Sequence, residues 1–573
     1  GARAANGVII ITTKRGKGGK SSVEYNGYTG IDVIAKRPDY MNASEYRAAA
    51  KSFGYTMDDK GADTDWFGAI TRTGKVQSHN IAIGGGTENF SYRASVGYLK
   101  QDGVVNKSGN ERLSARINLD QKALNGKLDI QTNLSAITTR RDFVNYDAFT
   151  YSITNLPTDP IYTTAASNQT AGGIEAGAGY FERPGAFSMY NSVAEINETT
   201  NYAKSIEYLG NLRLSYKLTD NLTFAANGAL KGSSSSGYYF KSRIPRSNEA
   251  AKGLASRGLG PVSGAPSEDK LLELTFNYNK TFGGVNFGAL AGYSYQDVTF
   301  EGFSATNNNF ISDAISFDNL GAGAGLALGQ RSNDAVSSFH SNYKLISFFG
   351  RLQASISEKY FATVNLRRDG SSKFGANNKW GFFPSASVGW TLSNEDFLKG
   401  NSKINNLKLR INYGQAGNSE GIRPYTTLAL LGNTKPDNSS YGKYYDNGNW
   451  YPVYGPIQNP NPDLKWEVAT SYGAGIDFSL FNYRITGTLD YYIKNTNDML
   501  YNVDAPLSIN PIYSQILANV ASMRNQGLEL SINGLIIDKS DFKYDATIAL
   551  ATLKNEVTGL SSGIFAASDQ IFL

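Results

Sequence analysis

The sequence predicts an all-β protein, a transmembrane antiparallel β-barrel, and three observations lead to it. About seventeen stretches alternate apolar and polar residues for roughly ten positions each, which sets an oily face against a wet face along a strand. The links between these stretches are alternately very short and very long, and charged residues keep to the wet register.

Residues 128 to 136 show the alternation cleanly. Leu128, Ile130, Thr132, Leu134 and Ala136 fall on one face, and Asp129, Gln131, Asn133 and Ser135 on the other. The same period of two sets Leu113, Ala115, Ile117 and Leu119 against Arg112, Ser114, Arg116 and Asn118. It recurs with Ile346, Phe348, Leu352 and Ala354 against Ser347, Arg351, Gln353 and Ser355, and with Leu407, Leu409, Ile411 and Tyr413 against Lys408, Arg410 and Asn412. Soluble sandwiches also bury one face and wet the other, so alternation alone does not choose between them and a barrel.

The links do choose. Tight ones lie near 85–89, 123–127, 219–221, 283–285, 357–359, 481–482 and 538–540. Between them come long ones, 35–75, 141–205, 232–270, 300–340, 415–463 and 495–518. The shorter links 101–111 and 368–380 also fall on the long side, and only 393–404 exceeds a short turn on the other. Outer-membrane barrels keep this parity because every second connection lies on the same side of the bilayer. Arg93, Arg112, Arg116, Arg213, Lys217, Arg351, Lys408, Arg410, Arg484, Asp490 and Glu529 all occupy the polar register, which predicts a wet lumen and a lipid-facing exterior.

Composition bounds the function. With 573 residues and 40% hydrophobic content, no apolar run approaches the roughly 18 residues of a membrane helix, a test to which strands are invisible. An aromatic share of 12% suffices for interfacial girdles, and Trp380 and Trp390 bracket one strand as markers of the two interfaces. Cysteine is absent, which excludes disulfides and thiolate chemistry. The net charge of +5 is spread out, and the densest cluster, Lys14 to Lys20, reads as a linker and not a nucleic-acid patch. Gly16-Lys17-Gly18-Gly19-Lys20-Ser21 ends like a phosphate-binding loop, but Lys14 stands where the first glycine is required. His79 and His340 are the only histidines, so a multi-histidine metal site is excluded, and each reads as a lumen or strand-end residue. No nucleophile elbow is present. No catalytic residue, metal ligand or cofactor is therefore assigned.

The continuous β-branched run Gly7-Val8-Ile9-Ile10-Ile11-Thr12-Thr13 suits a strand buried on both faces. It assigns 1–20 to the end of a small separate domain and 21–573 to the barrel. The long links carry Tyr441, Tyr444, Tyr445, Asn447, Asn449, Trp450 and Tyr454, together with Tyr238, Tyr239 and Phe240. Flat aromatic faces stack on sugar rings, and amides bond hydroxyls or peptide groups, so Tyr444, Tyr445, Asn449 and Trp450 are the candidate ligand contacts.

Several blocks carry a family resemblance. They are Gly1 through Lys14; Asp63-Thr64-Asp65-Trp66 with Gly84-Gly85-Gly86-Thr87 and Tyr92 through Tyr98; and Arg368-Asp369-Gly370-Ser371-Ser372-Lys373-Phe374-Gly375 with Trp380-Gly381-Phe382-Phe383-Pro384-Ser385. Leu407 to Asn418, Asn461-Pro462-Asp463-Leu464-Lys465-Trp466-Glu467, Asp490-Tyr491-Tyr492 and Asn525-Gln526-Gly527-Leu528-Glu529-Leu530 continue the match in order. Within the central block, Asp369 to Ser372 reads as a tight turn with Asp and Ser capping local amides. The chain resembles the SusC/RagA type of TonB-dependent outer-membrane transporters of Bacteroidota.

The resemblance implies a barrel of about 22 strands in outer-membrane lipid with a plugged lumen. It also implies import of an oligosaccharide or peptide with a SusD-like lipoprotein as lid, powered by TonB through a segment upstream of this chain. A passive porin or an outer-membrane barrel enzyme are the competing readings. Counting strands against that expectation predicts that most of the plug precedes Gly1 and about five strands follow Leu573. The strands Val23 to Ile31 and Phe542 to Thr552 are then expected to be unpaired edges.

Overall fold

Each alternating stretch forms a strand, and successive strands pair antiparallel into one continuous wall in the computed structural model. The structure describes residues 13–16, 18–164, 179–183, 189–245, 247, 253–329, 335–433, 441–504 and 515–560. The Gly7–Thr13 strand falls, but for its last residue, outside them, as does the stretch after Leu560.

The wall begins with β1 (Gly19–Asp32), β2 (Gly74–Gly86), β3 (Phe90–Asp102), β4 (Gly109–Ala123), β5 (Leu128–Asp142) and β6 (Thr199–Lys217). It continues with β7 (Leu222–Lys241), β8 (Glu268–Phe282), β9 (Val285–Asn308), β10 (Val336–Ile356), β11 (Tyr360–Ser371) and β12 (Trp380–Thr391). The last five are β13 (Ile404–Asn418), β14 (Glu467–Leu480), β15 (Ile485–Asp504), β16 (Gln515–Asp538) and β17 (Lys543–Leu560). Among the described residues β1 pairs with β2 alone and β17 with β16 alone, so these two strands are the edges expected from parity.

Strand length departs from expectation. Instead of roughly ten residues, the strands run from 12 in β11 to 24 in β9 and β16. About 9–11 residues cross a bilayer at the usual tilt, so the surplus carries paired backbone beyond the lipid on the long-link side. The link expected over 232–270 shrinks accordingly. β7 stays paired to Lys241, and a short strand, Leu254–Gly260, adds to the tips of β7 and β9. Tyr238, Tyr239 and Phe240 therefore stand on a strand and not on a loop, and Phe240 is buried against Ala255 and Phe310. Aromatic residues favour such a paired tip over a solvated turn.

The long links hold small cores of their own. Helices α1 (Ala43–Ser52), α2 (Trp66–Ile70), α3 (Tyr146–Thr154) and α4 (Ser192–Asn197) start at Asn42, Asp65, Asn145 and Asn191, whose side chains accept from backbone N–H groups of the first turn. Trp66, Ile70, Val105, Ala148, Val193 and Ile196 pack together beneath them. The Trp66 indole N–H donates to the Leu156 carbonyl at 2.9 Å, tying the first long link to the third. A second core joins Leu345, Phe374, Phe383, Ile422, Leu464 and Trp466, with the Phe374 and Trp466 rings 4.7 Å apart. The central motif block thus builds a core as well as a turn. Ser371 does cap the Lys373 amide, whereas Asp369 lies within β11 and accepts from Arg367 at 2.7 Å.

The outward face is apolar. Val96, Leu113, Leu134, Leu212, Leu352 and Ile411 share the outward register and are 46–61% exposed, as lipid-facing side chains must be. His79 shares that face with Ile81 and Ile83 and accepts or donates at 2.8 Å with the Tyr25 hydroxyl, so it is not a lumen or strand-end residue. His340 lies near the outer end of β10, opposite Glu301.

Trp380 and Trp390 sit at opposite ends of β12 as expected. Trp390 stacks on Tyr360, and both donate to Glu395, the Tyr360 hydroxyl at 2.6 Å and the Trp390 indole at 3.0 Å, while Lys359 adds an ion pair at 2.9 Å. The Tyr360 hydroxyl, then Lys359 and Trp390, pull the Glu395 carboxyl down to about 2. A depressed carboxyl stabilises the fold above its ordinary value and loses that contribution as pH falls toward the lowered one. The stability difference between the native chain and Glu395→Gln should therefore be full at pH 6, shrink below about pH 4.5 and vanish near pH 2. Urea midpoints at each pH measure it, and a difference independent of pH would refute the assignment.

Candidate solute-binding surfaces of the wall

The inner face is polar along its length because the even spacing of the alternation sends every second side chain inward. One register row passes from Asp120 through Gln131, Arg213, Asn227, Glu273, Ser294 and Ser347 to Asp369, crossing eight strands. Side chains bond along and beside it. Asn133 donates to Asn211 at 3.2 Å and Asn211 to Asn227 at 2.8 Å. Arg351 donates to Asn365 at 2.8 Å, and Arg367 to Ser347 at 2.8 Å.

Further along the wall Arg410 bridges Asp477 at 2.8 Å and Asp490 at 2.9 Å. Arg410 and Asp490 occupy positions that the polar register predicted. Along the row lies an open cavity of about 810 Å³ lined by Gln131, Arg213, Asn227 and Glu273 and by the neighbouring Arg351 and Arg367. Guanidinium forks and amides facing water offer donors to carboxylates, hydroxyls and peptide carbonyls. Ahead of β1, residues 13–16 also lie on the inner face. The Asn118 amide donates to the Lys14 carbonyl at 2.9 Å, Lys14 pairs with Glu24 at 3.0 Å, and Arg15 pairs with Asp120.

The loop candidates meet on one hairpin. Lys443–Asp446 pairs with Asn449–Pro452 around a two-residue turn in which Asn447 and Gly448 have φ of 45° and 85°. Two positive φ values suit the tight turn that Asn-Gly favours. Tyr445 opposes Trp450 with ring centroids 5.0 Å apart, and both share one face. Tyr444 opposes Tyr451, and Asn449 opposes Asp446, on the other face. Tyr445 and Trp450 therefore form one pair, whereas Tyr444 and Asn449 lie on the opposite face against other partners, and the four candidates are not a single cluster. Tyr444 and Trp450 are 61% and 63% exposed, unusually open for rings of that size.

The row of inward amides and hydroxyls was not singled out from the sequence. Its signal was present in the polar register, but Asn, Gln and Ser there looked like routine wet positions. Among the described residues no group of three or more His, Asp or Glu is arranged to hold a metal ion.

Comparison with known proteins agrees with this geometry. Residues 175–569 match the model of the TonB dependent receptor-like β-barrel. The TonB-dependent receptor SusC of Bacteroides thetaiotaomicron is 30% identical over 98% of this chain and 55% of its own length. TonB-dependent receptor P3 of Formosa agariphila is 30% identical over 98% of this chain and 54% of its own. The chain thus spans about half the length of the curated relatives it matches.

Among solved structures, the RagAB peptide transporter superposes with a TM-score of 0.79 at 23% identity, covering 98% of this chain and 64% of that one. At that identity the likeness concerns the fold. No described helix is long and apolar enough to cross a membrane, and the apolar outer face of the strands takes that role. On the family match, the SusC relative and the shared wall, the chain belongs to the SusC/RagA family of TonB-dependent receptors of the outer membrane.

Proposed function

We propose that this wall serves active, TonB-dependent import of a large nutrient, an oligosaccharide or a peptide, together with a SusD-like surface lipoprotein. The observation that carries this reading is the inward row of amides, hydroxyls, carboxylates and one guanidinium behind a lipid-facing exterior. Hydrated polymers lose few hydrogen bonds to water when the lining replaces them. The family supports TonB as the energy source. The RagAB structure is that of a peptide transporter, which supports a peptide as one of the two ligand classes.

Growth on single polymers tests the reading. A strain lacking the gene should fail on at least one oligosaccharide or peptide mixture that supports its parent, and disabling TonB should produce the same failure. Unimpaired growth on every candidate would overturn it, and growth lost without TonB dependence would favour a passive pore.

The hairpin pair Tyr445 and Trp450 is proposed to contact the ligand at the outer mouth. Removing one base or ring stack in comparable sites costs about 1–3 kcal/mol. Tyr445→Ala/Trp450→Ala should accordingly weaken binding of the identified polymer by about tenfold or more in calorimetry. Tyr444→Ala, on the opposite face, should change it by less than about threefold. Equal losses in both variants would remove the assignment.

A further inference from the structure

We infer that the outward face of β3 to β7 carries a binding site for one anionic lipid of the outer leaflet, a phosphate headgroup held above acyl chains. One register row on this face contains Lys100, Glu111, Arg140, Lys204 and Ser236. The row has the outward parity of Val96, Leu113 and Ile206, which are 53%, 49% and 46% exposed. It is therefore turned away from the lumen.

Height identifies the neighbour. Arg140 lies about twelve positions beyond Leu128, the inner end of β5, and about 9–11 tilted residues span the hydrocarbon. The row thus stands where acyl chains give way to headgroups. A groove of about 520 Å³ is lined by Glu111, Arg140, Lys204 and Ser236 of the row together with Leu113 and Ile206, charged and hydroxyl groups mixed with apolar side chains. Its Leu113 and Ile206 belong to the outward apolar band that lipid covers, which favours a lipid over a protein as occupant.

Charge identifies the headgroup. Three cations, Lys100, Arg140 and Lys204, face three carboxylates in and beside the row; Asp102 stands at the far end beside Lys100, and the two nearest Arg140 are engaged. Asp142 accepts from Arg140 at 3.0 Å, and Glu111 accepts from the Tyr98 hydroxyl at 3.0 Å. Among the described residues neither Lys100 nor Lys204 has an ion pair. Lys204 leans over the Tyr202 ring at 5.8 Å, and Arg140 over the same ring at 4.4 Å, so Tyr202 holds the two cations side by side. Ser236 brings a hydroxyl to the outer end of the row. Two adjacent cations beside hydroxyls are the chemistry that a phosphate headgroup satisfies.

The test uses the full chain in nanodiscs of mixed phosphatidylglycerol and phosphatidylcholine, with retained lipids counted by native mass spectrometry. Phosphatidylglycerol should be retained in preference. Arg140→Gln/Lys204→Gln should lower the preference by about fivefold per cation removed. Glu111→Gln, which deletes a competing carboxylate, should raise it. Equal retention of the two lipids by the native chain overturns the proposal, as does an unchanged preference in the double variant. If that variant does not fold, Glu111→Gln decides alone, and no rise in preference overturns the site.

Discussion

Leu212→Arg should destabilise insertion of the wall by about 2–4 kcal/mol, the cost of an arginine near mid-bilayer. Leu212 is 46% exposed on the outward face, about five positions from the inner end of β6, and so near the middle of the roughly eleven residues that cross. Ala229→Arg is the matched control. Ala229 pairs with Asn211 on the inward register at a similar depth and lines a lumen cavity. A cation there faces water and should cost less than about 1 kcal/mol. Urea titration of folding into phospholipid vesicles measures both. A small penalty at Leu212 with a large one at Ala229 would mean that the two faces had been exchanged.

Trp466→Ala should cost about 3–5 kcal/mol in the outer core, the usual penalty for emptying a buried aromatic site. Trp466 is 4% exposed, packs on Phe374 and Phe383, and donates its indole N–H to the Lys379 carbonyl at 3.3 Å. Beside it Lys373 is buried, donates to the Ser419 carbonyl at 3.2 Å and lies 4.1 Å from the Tyr343 ring, and burial pushes its ammonium below the usual lysine range. This core fastens the links 372–379 and 419–466 to each other. The loss should therefore appear as protease cleavage within 419–466 faster by about a hundredfold or more, since cleavage of a rapidly opening segment follows its open population. A rate within twofold of the native chain would show that the link is held by something else.

These two sites differ in how far the sequence discloses them. Leu212 was legible, because a period of two is a property of the backbone and needs no partner to be seen. The edges at β1 and β17 followed from counting the same period. Trp466 appeared only as part of a family motif, since its burial depends on Phe374 and Phe383, far away in the chain. Strand lengths were underestimated for a related reason. Past the lipid, both faces of a strand meet water or a neighbouring link, so the alternation fades while the backbone pairing continues. His79 was misplaced because a polar side chain can face outward when a tyrosine such as Tyr25 satisfies it. The hairpin at 443–452 was visible as an aromatic cluster with Asn-Gly, but the division of its rings between two faces follows from register alone.

The polar row on the inner face does not run level. Asp120 stands about three positions from the inner end of β4, whereas Asp369 stands about nine positions above the inner end of β11. Moving along one hydrogen-bonded row thus means rising by about six residues, roughly 15–20 Å along the strands. The lining is a ramp and not a ring. On the proposed import of a hydrated polymer, each bond to the lining would be traded for one slightly lower and slightly further round, so that descent is also a rotation and no single height carries the whole cost of dehydration.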